Sequence, residues 1–227
     1  MKTIKPNHLL KITFLVASTF VLMASSAWAT LVTWDLNPSG SNADVGSNSQ
    51  SYTVSGYTIT AYGYDNNSGT GTAHELSFKN DGGDETGLGL AGISDKELQV
   101  NSNGNPLQFI QLNLSSILSQ GFINGKIEIG SIQSPDSFNL YGSNTLGSLG
   151  TKLNSTPYDS SNDDQFVSVP NFGTYKFISV VAACGDVLPV AFEASIVPIP
   201  EAASLVPVCL VIAVTIFEAR RRRHPQA

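Results

Sequence analysis

The sequence predicts an all-β protein: an antiparallel two-sheet β-sandwich flanked by an N-terminal signal peptide and a C-terminal transmembrane helix. Two observations predict the sandwich. Short runs rich in β-branched and aromatic residues are separated by clusters of Gly, Asn, Asp and Ser, which is typical of antiparallel sheets. Within "GYTITAYGY", Tyr57, Ile59 and Ala61 alternate with Thr58, Thr60 and Tyr62, so one face can pack against a core while the other meets solvent.

The first 29 residues have the pattern of a secretory signal peptide. Lys2, Lys5 and Lys11 precede an apolar run over 12–23, and the small residues Ala27 and Ala29 stand where a signal peptidase reads its substrate. Twelve apolar residues in a helix cover roughly 18 Å, short of the ~30 Å hydrocarbon core, which disfavours a retained anchor. We therefore predict cleavage after Ala29 and a mature chain that begins at Thr30.

Residues 30–197 have the length of one domain and contain ten predicted strands. These strands cover 31–36, 52–62, 74–79, 97–100, 107–114, 123–132, 137–141, 165–169, 175–183 and 188–196. This number and spacing favour a two-sheet sandwich, with a jelly roll as one topology of that kind, and a barrel is the alternative.

The chain closes with an apolar segment over 202–219 followed by Arg220, Arg221, Arg222 and Arg223. The segment is just long enough to cross a bilayer as a helix. Because arginines are retained on the cytoplasmic side, the predicted orientation leaves the β domain outside and the tail inside. Four adjacent arginines cannot be desolvated, which excludes a buried core helix here.

The segment before this span, Val197-Pro198-Ile199-Pro200-Glu201-Ala202, is predicted to be extended, since each proline biases the preceding residue toward β or polyproline geometry. With the short apolar span and the arginine cluster, residues 198–227 resemble the sorting signal of PEP-CTERM proteins. The motif maps onto Pro200 and Glu201, while Ala202 stands in place of its second proline. Segments within 76–196, such as "FIQLNLSSI", resemble the β-sandwich ectodomains that often accompany such tails.

This resemblance implies recognition by an exosortase, a membrane enzyme of Gram-negative bacteria that make exopolysaccharide. It also implies export across the cytoplasmic membrane, a single-pass tether, and delivery to the cell surface or the extracellular matrix. Pro198, Pro200 and Glu201 would form the recognised motif.

Charge and cysteine content limit the partners and the disulfides that are possible for the exported region, residues 30–197. Residues 30–197 contain five lysines and no arginine against sixteen carboxylates, a formal charge of −11. This charge repels phosphate backbones, so nucleic acid is excluded as a partner. Cys184 is the only cysteine of this region, and no intrachain disulfide can form within it.

One cluster of carboxylates, at positions 81, 84, 85, 95 and 97, is a candidate for Ca²⁺, which prefers oxygen ligands on glycine-rich turns. Asp84, Glu85 and Asp95 are the best candidate ligands. The spacing matches no EF-hand, and the alternative interpretation is a solvated loop that keeps the protein soluble. Calcium is the one candidate cofactor.

The sequence does not predict an enzyme. His74 is the only histidine of residues 30–197, and no G-x-S-x-G motif is present to form a nucleophile elbow. "GLGLAG" contains a G-x-G-x-x-G spacing, but a strand-like segment follows where a dinucleotide site needs a helix. Tyr64 and Tyr158 are candidates for stacking on sugar rings. We expect a non-enzymatic surface or matrix protein, or alternatively a carbohydrate- or calcium-binding module that contacts extracellular polysaccharide.

Overall fold

The computed structural model describes residues 29–83 and 85–196. Fifteen strands are present in this part of the chain: β1 Thr30–Asp35, β2 Ser49–Val54, β3 Tyr57–Asn67, β4 Thr70–Ala73, β5 Leu76–Asn80, β6 Thr86–Leu90, β7 Leu98–Gln99, β8 Gln108–Asn113, β9 Phe122–Gly130, β10 Ser137–Ser143, β11 Thr151–Lys152, β12 Tyr158–Asp159, β13 Gln165–Ser168, β14 Phe177–Cys184 and β15 Asp186–Ile196. The α-helix α1, Ser115–Ser119, is one turn long.

The strands form two main sheets and a separate hairpin. The smaller sheet has the order β1-β15-β9-β13, with β7 also paired to β15. The larger sheet has the order β11-β10-β14-β8-β3-β2, with β12 paired to β10 and β4 to β3. Among the named strands, β5 and β6 pair only with each other, and residues 43–47 add backbone hydrogen bonds along β5. All pairings between these strands are antiparallel, so the all-β, sandwich-like fold predicted from the sequence is confirmed.

The main hydrophobic core lies between the two sheets, and side chains within it connect the β1 edge of the smaller sheet to the β2–β3 edge of the larger sheet. Trp34 of β1 is fully buried, and its indole Nε1 donates to the carbonyl of Tyr57 at 3.0 Å. Its ring packs on Phe122 and Phe192, at centroid distances of 5.7 and 6.0 Å. In return, the Tyr52 hydroxyl donates to the carbonyl of Leu36 at 2.9 Å. Each amphipathic ring thus fills apolar volume and satisfies its polar atom across the core.

The strand predicted over 52–62 corresponds to two strands in the structure, β2 and β3. The sequence pattern favours a continuous strand over 52–62, but β2 and β3 form a hairpin with all six residues of β2 in register. Ser55 and Gly56 make the turn, with φ of 52° and 84°. Positive φ at both central positions defines a type I′ turn, which matches the twist of the flanking strands.

The first and the last strand of the domain, β1 and β15, pair with each other. Thr30, the first residue of β1, is the cross-strand partner of Ile196, the last residue of β15. The chain passes from the larger sheet to the smaller one at Gly185, between β14 and β15. Pro189 lies at a bulge of β15, where its missing N–H is tolerated.

Several sequence predictions fall outside the described residues. They are the signal peptide up to Trp28 (including Ala27), Asp84, and the whole predicted sorting segment with Pro198, Pro200, Glu201, the span 202–219 and Arg220–Arg223. Within the described part of the chain, no helix combines the length and the apolar character needed to cross a bilayer.

The first two glycines of "GLGLAG", Gly87 and Gly89, serve close packing of β6. A Cβ atom on Gly89 would overlap the backbone carbonyl oxygen of Lys96, and one on Gly87 would overlap that of Pro189. Both residues lie inside a strand rather than before a helix, so the G-x-G-x-x-G spacing here has a packing role.

We expect Gly89→Ala to lower the free energy of unfolding by about 3 kcal/mol, because the backbone must shift to admit the methyl group. Gly104→Ala is the matched control. Gly104 has open space around its Cβ position, and only its φ of 74° is unfavourable, so its loss is about 1 kcal/mol. Urea denaturation of both variants provides the comparison, and equal losses would contradict the packing role.

Candidate functional site

The β5–β6 hairpin positions the candidate site. Along β5, Ser77 and Lys79 alternate with Leu76 and Phe78, so the lysine projects from the face opposite these two apolar side chains. The turn between the strands contains Gly82 and is closed by backbone hydrogen bonds from Asp81 to Glu85 and from Glu85 to Gly82. This turn brings the carboxylates at its ends to the side of Lys79.

The Lys79 ammonium lies at the centre of four carboxylates. Its Nζ is 2.7 Å from Glu97, 2.9 Å from Glu85, 3.0 Å from Asp95 and 3.8 Å from Asp81. These five residues are called the Lys79 cluster below. Lys79 and Glu97 are each only 1% exposed, whereas the other three carboxylates reach solvent. The cluster therefore has a buried ion pair on its inner side and an acidic outer side.

Burial and pairing act against each other on the two inner groups. Burial by itself lowers the pKa of Lys79, but its hydrogen bonds to Glu97, Glu85 and Asp95 outweigh this, and the net pKa is raised. Burial raises the pKa of Glu97 to about 7, in spite of the hydrogen bond from Lys79. Lys79 thus stays charged through the physiological pH range.

The structure brings together two of the three predicted calcium ligands. Glu85 and Asp95 lie side by side, and Asp81 joins them; one carboxylate oxygen from each of the three lies within 4.8 Å of the others. The sequence pattern included Asp81 in the acidic cluster but did not place it among the best candidates. The role of Lys79 was missed altogether, although a lysine inside an apolar strand beside an acid-rich turn was a usable signal.

A second group of carboxylates lies on the outer face of the smaller sheet. Glu128 of β9 faces Asp35, Asp164 and Glu193, and burial together with these like charges raises its pKa. A cavity of about 510 Å³ is lined by Asp35, Glu128 and Asp164 together with Phe166. The acidic charge of the domain is therefore concentrated on this face as well as on the Lys79 cluster.

A groove of about 740 Å³ lies beside the end of β15. Its lining combines the ring of Phe172 with Asn124, Ser168, Ser195 and Lys126. Aromatic, amide and hydroxyl groups in one concave surface suit a polar organic ligand such as a sugar.

The aromatic residues singled out from the sequence are engaged in packing. Tyr64 is 6% exposed and stacks on Phe109 at a centroid distance of 4.9 Å. Tyr158 is half-buried and stacks on Phe138 at the same distance. The expected exposure of the Tyr64 ring is therefore wrong, because Phe109 and the strand-flanking loops cover it.

His74 lies between β4 and β5, and both of its ring nitrogens have a hydrogen-bond partner. Its Nδ1 is 2.9 Å from Asp65 Oδ1, and its Nε2 is 2.7 Å from the carbonyl oxygen of Ala91. In this arrangement neither ring nitrogen faces a hydroxyl or thiol, so His74 is not oriented as a base toward a nucleophile.

No protein-family model, curated protein or solved structure matches this chain.

We expect Lys79→Met to lower the free energy of unfolding by about 3–5 kcal/mol, because Glu97 is left buried without its partner. Lys152→Met is the control: Lys152 of β11 is exposed and forms no ion pair with any described residue. That variant should lose about 0.5 kcal/mol or less. Urea denaturation measures both variants, and similar losses would contradict the special role of the buried pair.

Proposed function

We propose that this protein is exported, tethered by its C-terminal segment and sorted by an exosortase-type enzyme to the cell surface or the extracellular matrix, where it acts without enzymatic activity as a structural or interaction protein. The observation that carries the proposal is that the same sequence has the pattern of an export signal at one terminus and that of a membrane-sorting signal at the other. A signal peptide-like start precedes the β domain, and the Pro-Glu motif, the apolar segment and four arginines follow it.

The described domain supports this division of the chain. β1 begins at Thr30, directly after the predicted cleavage position at Ala29. Removal of residues 1–29 would therefore leave every strand intact. The last strand ends at Ile196, two residues before the predicted sorting segment begins at Pro198. In the sequence, one predicted processing signal thus precedes the described strands and the other follows them. We also propose that the β-sandwich has a jelly-roll topology.

Mass spectrometry of the exported protein is expected to find a mature chain that starts at Thr30 and lacks Arg220–Arg223. Glu201→Gln should block removal of the arginines, because it changes the charge of the recognised motif, whereas Glu218→Gln, in the tail region, should not. Retention of all four arginines in the wild-type protein would leave a simple membrane anchor and contradict the sorting proposal.

A second candidate function is a ligand-binding module at the cell surface. It is favoured by the convergence of Asp81, Glu85 and Asp95, each of which places one carboxylate oxygen within 4.8 Å of the others, while the groove beside β15 suits a polysaccharide. Because Lys79 already neutralises the inner side of the cluster, only a weak calcium site is expected there, with a Kd of roughly 0.1–1 mM as in extracellular modules.

Calorimetric titration of the exported protein with Ca²⁺ tests this candidate. Asp95→Asn should abolish the binding heat, since it removes one of three ligands, while Asp159→Asn, on an exposed turn elsewhere, should leave it unchanged. Extracellular polysaccharide is then titrated with and without Ca²⁺. No heat in either titration would reject the ligand-binding candidate and leave the sorting proposal untouched.

A further inference from the structure

His74 is surrounded by atoms that can only accept hydrogen bonds. Asp65 Oδ1 belongs to a carboxylate and lies 2.9 Å from Nδ1, while the Ala91 carbonyl oxygen lies 2.7 Å from Nε2. A neutral imidazole carries one N–H and can satisfy only one of these two acceptors; an imidazolium carries two and satisfies both. The geometry therefore assigns the doubly protonated ring to His74.

The two acceptors belong to different parts of the fold. Asp65 lies on β3 of the larger sheet, and Ala91 directly follows β6, at the end of the hairpin. His74 directly follows β4 and is separated from β5 only by Glu75, so it and Ala91 form the root of the β5–β6 hairpin. We propose that His74 is a pH-sensitive latch, which fastens this root to β3 when protonated and gives up one of its two bonds when it loses a proton.

The charged groups around the ring favour the proton. Asp65 faces the ring from β3, and Glu75 lies beside His74 on its own segment. Burial by itself lowers the pKa of His74, but the bonds to the Ala91 carbonyl and to Asp65 outweigh it, and the net pKa is raised above 6.5. A raised pKa means that the folded protein holds this proton more tightly than the unfolded chain. The stabilisation is therefore complete below pH 6.5 and is lost as the pH rises through the folded pKa.

Loss of the latch loosens the root without unfolding it. Two backbone hydrogen bonds remain there, from His74 N to the Gly63 carbonyl and from Ala91 N to the Glu75 carbonyl, at 2.9 Å each. The expected response is a more frequent local opening of these two amides. Since hydrogen bonds to charged groups are among the stronger ones, the opening should increase about tenfold.

The test is an NMR titration of the histidine rings in the full-length chain in detergent micelles. His74→Gln identifies the His74 resonance among the three histidines of the chain. The expected result is a midpoint above 6.5 with both ring nitrogens protonated below it. Amide exchange of His74 and Ala91, corrected for its intrinsic pH dependence, should rise about tenfold across that midpoint. A midpoint at or below 6.5, or one unprotonated ring nitrogen at pH 6, would overturn the proposal.

Two variants separate the latch from a merely structural histidine. His74→Gln should make the corrected exchange of the Ala91 amide independent of pH, and Asp65→Asn should lower the His74 midpoint, because it keeps an acceptor oxygen but removes the charge. The second variant keeps the proposal testable even where the first does not fold. An unchanged midpoint in Asp65→Asn would overturn it. A site-resolved measurement is needed because Glu97, with a pKa of about 7, titrates in the same range.

Discussion

The ammonium of Lys79 is the positive charge around which the acidic loops of this domain assemble. Without a cation, Asp81, Glu85, Asp95 and Glu97 would repel one another, and Glu97 would be a buried, uncompensated charge. Lys79 is 1% exposed and its ammonium contacts all four of these carboxylates. The turn of the hairpin and the segment at Asp95–Glu97 therefore meet at this one charge.

This arrangement is one of several that hold the β5–β6 hairpin, which pairs with no strand of the two main sheets. β5 and β6 pair only with each other, and an isolated hairpin is marginally stable in water. Here, Gly87 and Gly89 let β6 approach the backbones of Pro189 and Lys96, while Lys79 binds the carboxylates at the tip. Backbone hydrogen bonds along β5, from Val45 N to the Leu76 carbonyl, from Leu76 N to the Ser47 carbonyl and from Phe78 N to the Ala43 carbonyl, add to the close backbone contacts and the buried ion pair.

The fold was more predictable from the sequence than the candidate site. Period-two alternation located most strands of both sheets, because it reflects a local property of each strand. It merged β2 with β3, since Ser55 and Gly56 interrupt the apolar pattern too briefly to mark a turn. The acidic cluster was visible as a group of carboxylates, and Glu85 and Asp95 do lie together. Their convergence on Lys79, however, depends on how the 94–97 segment crosses the hairpin, which no local pattern encodes.

Two of the contacts that hold the hairpin involve titratable groups and respond differently to pH. At its tip, Lys79 remains charged throughout the physiological range, and Glu85 and Asp95 continue to bind it even when Glu97 takes up a proton. At its root, the second bond of His74 exists only while the imidazole carries both protons. A change of pH near neutrality therefore removes one bond at the root, whereas at the tip it changes the charge of Glu97 while Lys79 keeps its other carboxylate partners. Because the tip carries the acidic outer face, the candidate calcium ligands should keep their arrangement while the strands behind them loosen.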